Sequence, residues 1–120
     1  MKLKIIDGFF AVCKVTALDA TQIQQEFTFI ANTDEELSLV CREQSLPSNT
    51  TSLEKGYRLI RIDDVLDFSL VGILAKISGI LASHNISIFV ISTFNTDYFL
   101  IKNNQFDETT RLLKINGYHF

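Results

Sequence analysis

The chain has 120 residues and a formal net charge of −3 at neutral pH, which excludes the basic face that a nucleic-acid binder needs. That length suits one compact structural domain. Hydrophobic residues make up 47% of the chain and the mean hydropathy is +0.19, so part of the apolar surface is expected to be covered by a partner subunit.

Cys13 and Cys41 lie in apolar runs and read as small buried hydrophobes. Neither has a second ligand at zinc spacing, so no metal and no cofactor is expected. The opening MKLKIIDGFF is broken by Lys4 and Asp7 and is not a signal peptide. No apolar run approaches membrane-spanning length. These features predict a cytoplasmic protein with neither nucleic acid nor membrane as a partner.

Taken in chain order, Phe9 to Val15 is a run of strand length. TALDATQIQQ holds at most one or two helical turns. EFTFIAN alternates Phe27, Phe29 and Ala31 against Thr28, Ile30 and Asn32, then TDEE turns and LSLVCR returns as a hairpin partner. EQSLPSNTTSLEK, with the sole proline, reads as a loop. GYRLIRIDD is a strand after Gly56. Leu70, Ile73, Leu74, Ile77 and Leu81 then fall at helical spacing, with Ser69 as the expected N-cap and Asn85 just past the end. Gly72 and Gly79 lie off that stripe. Glycine costs roughly 1 kcal/mol in a helix, so both predict the close approach of something. ISIFVIST is apolar on both faces and predicts a covered central strand. TDYFLIK pairs with it. DETTRLLKING is a second helix with Leu112, Leu113 and Ile115 inward and Gly117 as C-cap, and YHF could add a last strand.

The second half thus runs β-α-β-β-α-β, the ferredoxin-like order, and the fold class is α+β. Setting Ile30 on Ile91, an offset of 61, lays IANTDEELSLV over ISTFNTDYFLI and Glu36 over Asp97. Residues 1–55 then read as a degenerate, strand-rich unit and residues 56–120 as its complete relative.

The run DFSLVGILAKISGILASHNISIFVISTFNTDYFLI, with NTDEELSLVC and GYRLIRID, resembles the small bacterial relatives of the CASTOR amino-acid sensors, a branch of the ACT-domain superfamily. The matching pieces are FS-x-VGILA, LA-x-x-x-ISIF and IST-F-x-TD, and the likeness covers Phe27 to the end. The loop Asp67-Phe68-Ser69-Leu70-Val71-Gly72 lacks the proline most ACT domains carry there. The resemblance implies paired ferredoxin-like units, no catalysis, and free amino acids bound at interfaces. By position, it implies contacts from Leu70, Val71, Gly72 and Ile73 and from Thr93, Phe94, Thr96 and Asp97. A chain this short would need a homodimer to rebuild the interface, and a regulated partner protein would read the signal.

Each candidate has a plainer alternative. Asp97 suits a ligand ammonium or a turn aspartate bonding its own backbone. The amides of Val71 to Ile73 suit a carboxylate or an ordinary helix start. Glu36 and Ser38 could line an equivalent site or the far wall of the first, or be a solvated hairpin end. A structural or protein-interaction module without a ligand is the alternative function. No nucleophile and base stand at catalytic spacing, so an enzyme has little support.

Overall fold

Two strands, β1 (Leu3–Val15) and β4 (Thr50–Ile62), are each thirteen residues long. The computed structural model describes residues 1–64 and 72–120. It divides into two compact units, Gly8–Tyr57 and Met1–Asp7 with Arg58–Phe120. Each long strand therefore gives one end to each unit. Both strands exceed the sequence expectation. Leu3 to Gly8 extend β1, and Thr50 to Lys55 belong to β4 although hydroxyl residues and proline marked that stretch as loop. Thr is a good strand residue on a pleated surface, and Pro47 lies outside the strand.

In the unit Gly8–Tyr57 the strand order is β2-β3-β1-β4, with β2 Phe29–Asn32 and β3 Leu37–Arg42. β3 pairs antiparallel with both neighbours, Leu39 opposite Ile30 on one side and Cys13 on the other. One helical turn, α1 (Ala20–Ile23), and a 3-10 turn at Glu43–Ser45 complete it. Cys13, Val15, Leu39 and Cys41 form its buried cluster, with Leu18, Leu37 and Leu46 packed on it. Both thiols are free and buried, as their apolar setting predicts.

In the other unit the order is β1-β4-β6-β5, with β5 Phe89–Ser92 and β6 Asp97–Lys102. Helices α2 (Ile73–Ala82) and α3 (Phe106–Ile115) supply the core. Ile77 and Leu81 of α2 and Phe106, Leu112 and Leu113 of α3 join Leu3, Ile60, Ile62, Phe99 and Ile101 in one buried cluster. Leu100 points to the opposite face by strand alternation and is fully buried as well.

Three expectations are corrected here. β5 is an edge strand, not a central one: Phe89 is 42% and Val90 37% exposed. The strand buried on both faces is β6. Periodicity finds an apolar strand but does not rank it in the sheet. Ile115 points outward at 67% exposure, because α3 turns Leu112 and Leu113 to the core and Ile115 follows off that stripe. Tyr118–His119 forms no full strand but a single parallel bridge, His119 to Lys2.

Both helices close with Schellman geometry. The Tyr118 amide donates to the Leu113 carbonyl at 3.0 Å and that of Gly117 to Lys114 at 3.1 Å, with Gly117 at φ +92°. At α2 the Ile86 amide donates to Leu81 at 2.9 Å, and Asn85 holds the left-handed position at φ 60°. The expected cap at Ser69 lies outside the described residues. Gly72 precedes α2 at φ +82°, which favours glycine. A Cβ on Gly72 or Gly79 would meet open space among the described residues, so neither is required for a close approach to them.

Candidate functional site

The hairpin between β5 and β6 carries four of the predicted residues. Its turn is closed by Thr93, whose amide and hydroxyl both donate to the Thr96 carbonyl at 2.9 Å. The Thr96 amide returns to the Thr93 hydroxyl at 3.4 Å. This is turn chemistry of the ST type. The Thr96 hydroxyl donates to the Ile62 carbonyl at 2.7 Å and fastens the turn to the end of β4. Phe94, at the tip, is 83% exposed. Asp97 opens β6 opposite Ser92 and is half-buried.

The β2–β3 hairpin repeats this device. The Thr33 amide donates to the Glu36 carbonyl at 2.9 Å, and the Glu36 amide to the Thr33 hydroxyl at 3.1 Å. The turns correspond at an offset of 60, Thr33 to Thr93, not 61. Each returning strand, Leu37 and Asp97 onward, shows the same burial sequence of two half-buried, three buried and one half-buried residue. Glu36 therefore corresponds to Thr96, and Leu37 to Asp97. A one-residue slip inverts every side chain of a strand, so only the offset of 60 keeps the buried faces matched. Ser38 follows, opposite Ala31 and Lys14. Glu36 and Ser38 thus belong to the unit Gly8–Tyr57, apart from the other candidates in chain grouping.

Around the end of β4 the charges are mutually engaged. The Asp63 amide donates to the Lys2 carbonyl at 2.9 Å and the Lys2 amide to the Asp64 carboxylate at 3.0 Å. Arg61 meets Asp63 at 3.1 Å. The Tyr98 side chain, and after it Asp63, holds the Arg61 guanidinium above its ordinary value.

Gly72 and Ile73 line a cavity of about 290 Å³. Lys76, one turn on, lines it too, as do Met1 and, past the end of α3, Asn116, Gly117 and Tyr118. The first bond of α2 runs from the Lys76 amide to the Gly72 carbonyl at 2.9 Å. The amides of Ile73, Leu74 and Ala75 therefore have no partner inside the helix, and Gly72 offers no side-chain cap. The cavity lies at the end of the unit that holds the hairpin turn, since Met1 and Lys2 adjoin Asp63 and Thr96 bonds Ile62. Leu70 and Val71 lie outside the described residues. Lys76, Asn116 and Tyr118 were missed as lining residues. Their joining depends on the end of one helix meeting the start of another, which local spacing does not encode.

The unit Gly8–Tyr57 has a cavity of about 370 Å³ at the matching place, between the start of α1 and the residues before β4. There Asp19 caps α1. Its carboxylate accepts from the Gln22 amide at 3.0 Å and from the Thr21 hydroxyl, and the Asp19 amide donates to the Gln22 side-chain oxygen. Those bonds, Thr21 first, hold the Asp19 carboxyl below its ordinary range. Among the described residues no three of His, Cys, Asp and Glu gather as a metal site. Among them, too, no helix is long and apolar enough to cross a membrane.

Residues 52–114 match the family model of the ACT domain. The protein Atu0741 of Agobacterium tumefaciens is similar over 98% of this chain and 90% of its own, at 30% identity and a TM-score of 0.88. The protein VC0802 of Vibrio cholerae, described as of unknown function and a possible transport protein, covers 94% of this chain and 87% of its own at 21% identity and a TM-score of 0.73. The regulatory subunit of aspartate kinase from Thermus thermophilus shares the fold at 10% identity and a TM-score of 0.62, over 93% of this chain and 95% of its own. No curated protein matches the sequence. The match of more than half the chain to the family model, on an α+β fold of the same architecture, shows that this chain belongs to the ACT domain family.

Proposed function

We propose that the protein is a non-catalytic regulatory module that binds a free amino acid, and that it stands in the CASTOR-like branch of its family. The observation that carries this reading is the cavity at Gly72 and Ile73, inside the stretch that matches the ACT domain. The ligand's α-carboxylate lies against the opening of α2, where the positive end of the helix and amides without a partner inside the helix favour an anion. Its ammonium faces Asp97 on the hairpin turn. Thr93, Phe94 and Thr96 shape that turn, Leu70 and Val71 belong to the proposed contacts by the family resemblance, and Glu36 and Ser38 form the corresponding hairpin end of the first unit.

Residues 1–55 and 56–120 are two ACT-like units, the first with a reduced helix. The shared hairpin geometry supports that pairing. The working form is a cytoplasmic homodimer in which ligand binding biases the arrangement of subunits and a partner protein reads it. The edge strand β5 supports assembly, because an exposed apolar edge favours strand addition. The relatives named as aspartate kinase regulatory subunits or domains agree with a regulatory role.

A purely structural module is the second reading. It is favoured by the Thr93 turn, whose polar residues are already explained by turn geometry. Equilibrium dialysis against each common amino acid tests the choice, with Asp97→Ala alongside. Binding weakened at least tenfold in the variant supports the site; equal binding by both proteins removes Asp97 from it. Absence of binding for every amino acid favours the structural reading.

A further inference from the structure

The cavity beside α2 has a charge character that the proposed amino-acid reading leaves unused. Among the described residues lining it, Lys76 is the one with a charged side chain, and none is a carboxylate. Tyr118 lines it as a neutral phenol, since burial pushes its ionisation up. The other wall offers little to a cation. The carbonyls of Leu112, Leu113 and Lys114 at the end of α3 already receive the amides of Asn116, Tyr118 and Gly117. The Leu112 carbonyl also takes the Asn116 side chain at 2.8 Å. The nearby acids Asp63 and Asp64 are engaged with Lys2 and Arg61.

The first unit provides a contrast of sign. Its corresponding cavity carries Asp19, whose carboxylate occupies the helix start from within the chain. Gly72, at the start of α2, has no side chain to cap with, and among the described residues lining the cavity the protein places a cation one turn away.

We infer that the Lys76 cavity selects a second carboxylate, so that the ligand is an acidic amino acid or a dicarboxylate, with Lys76 as the specificity-determining residue. This rests on the amino-acid reading for the α-carboxylate but adds Lys76 and the ligand's charge. An ammonium beside a carboxylate in a partly enclosed cavity gains a charge-assisted hydrogen bond, whereas a basic side chain there would meet like charge.

The test is calorimetric titration of wild type and Lys76→Gln with aspartate, glutamate, succinate, lysine, arginine and alanine. Lys76 is exposed, and an unchanged ligand-free melting midpoint checks that the variant folds. The expected result is that aspartate, glutamate or succinate binds wild type at least tenfold more tightly than lysine, arginine or alanine, and that Lys76→Gln removes this preference. Tighter binding of lysine, arginine or alanine, or an acidic preference that survives Lys76→Gln, overturns the inference and leaves the amino-acid reading standing. Succinate binding through Lys76 with no amino acid bound upholds the inference and overturns the reading. No binding by any probe overturns both.

Discussion

The two units follow one plan with unequal means. Each has a strand, a helix, a threonine-closed hairpin and a 3-10 turn after the returning strand, in that order. The unit Gly8–Tyr57 fills its helix position with four residues, none of them buried. The unit of Met1–Asp7 and Arg58–Phe120 fills it with ten, adds α3, and buries side chains from both. The plan is therefore kept by strand register and turn geometry, while the helices set how much core a unit owns. The same difference governs the two cavities: the short helix is capped by its own aspartate, and the long one starts at a glycine, which has no side chain to cap with.

Removing core from the two helices tests this contrast most strongly. Ile77→Ala, at a fully buried site in α2, is expected to cost about 2–5 kcal/mol in chemical denaturation. Ile23→Ala in the exposed α1 is expected to stay within about 0.5 kcal/mol. Similar losses would mean that the short helix also holds a core.

The helix glycines give the next effect. Gly117→Ala places a side chain at φ +92° and should destabilise by about 1–2 kcal/mol. Gly79→Ala, in open space within α2, should stabilise by up to about 1 kcal/mol. A loss at Gly79 would point to a surface covered by another molecule. In the paired turns, Thr33→Ala and Thr93→Ala should each cost about 1 kcal/mol. A clearly larger loss at one hairpin would break the correspondence at offset 60.

The last contrast is in pH. The folded-state carboxyl of Asp19 is lowered by its bonds, Thr21 foremost. Its contribution is complete above the unfolded carboxyl value and is lost as pH falls through the folded one, below about pH 4. Asp19→Asn should flatten that acid limb. At the other extreme, burial and then Cys13 push the Cys41 thiol up to about 11. Its contribution is complete below the ordinary thiol range and lost as pH rises toward 11, so Cys41→Val should flatten the loss between about pH 9 and 11.

Much of the fold was legible where local rules act alone. The Asn85 and Gly117 ends followed from left-handed preference, and the Ile77 and Leu81 stripe from helical period. β5 was misplaced because its apolar run resembles a covered strand, and edge position is decided by pairing far along the chain. The repeat was visible but slipped by one, since Asp97 and Glu36 attracted the alignment while burial of Leu39 to Cys41 and Phe99 to Ile101 determines it. Of the candidate site, Gly72 and Ile73 stood out as a helix opening. Lys76 did not, because its relevance comes from the end of α3 lying across the cavity.

The most direct test of the central claim is a thermal-shift screen of the wild-type protein against the common amino acids. A ligand at 100 times its Kd adds about 2.7 kcal/mol to the folded state, on the order of a 10 °C rise for a protein this small. One amino acid, or a chemically related pair, raising the midpoint by that order is the predicted result. A midpoint that no amino acid moves, at concentrations up to tens of millimolar, would contradict the account.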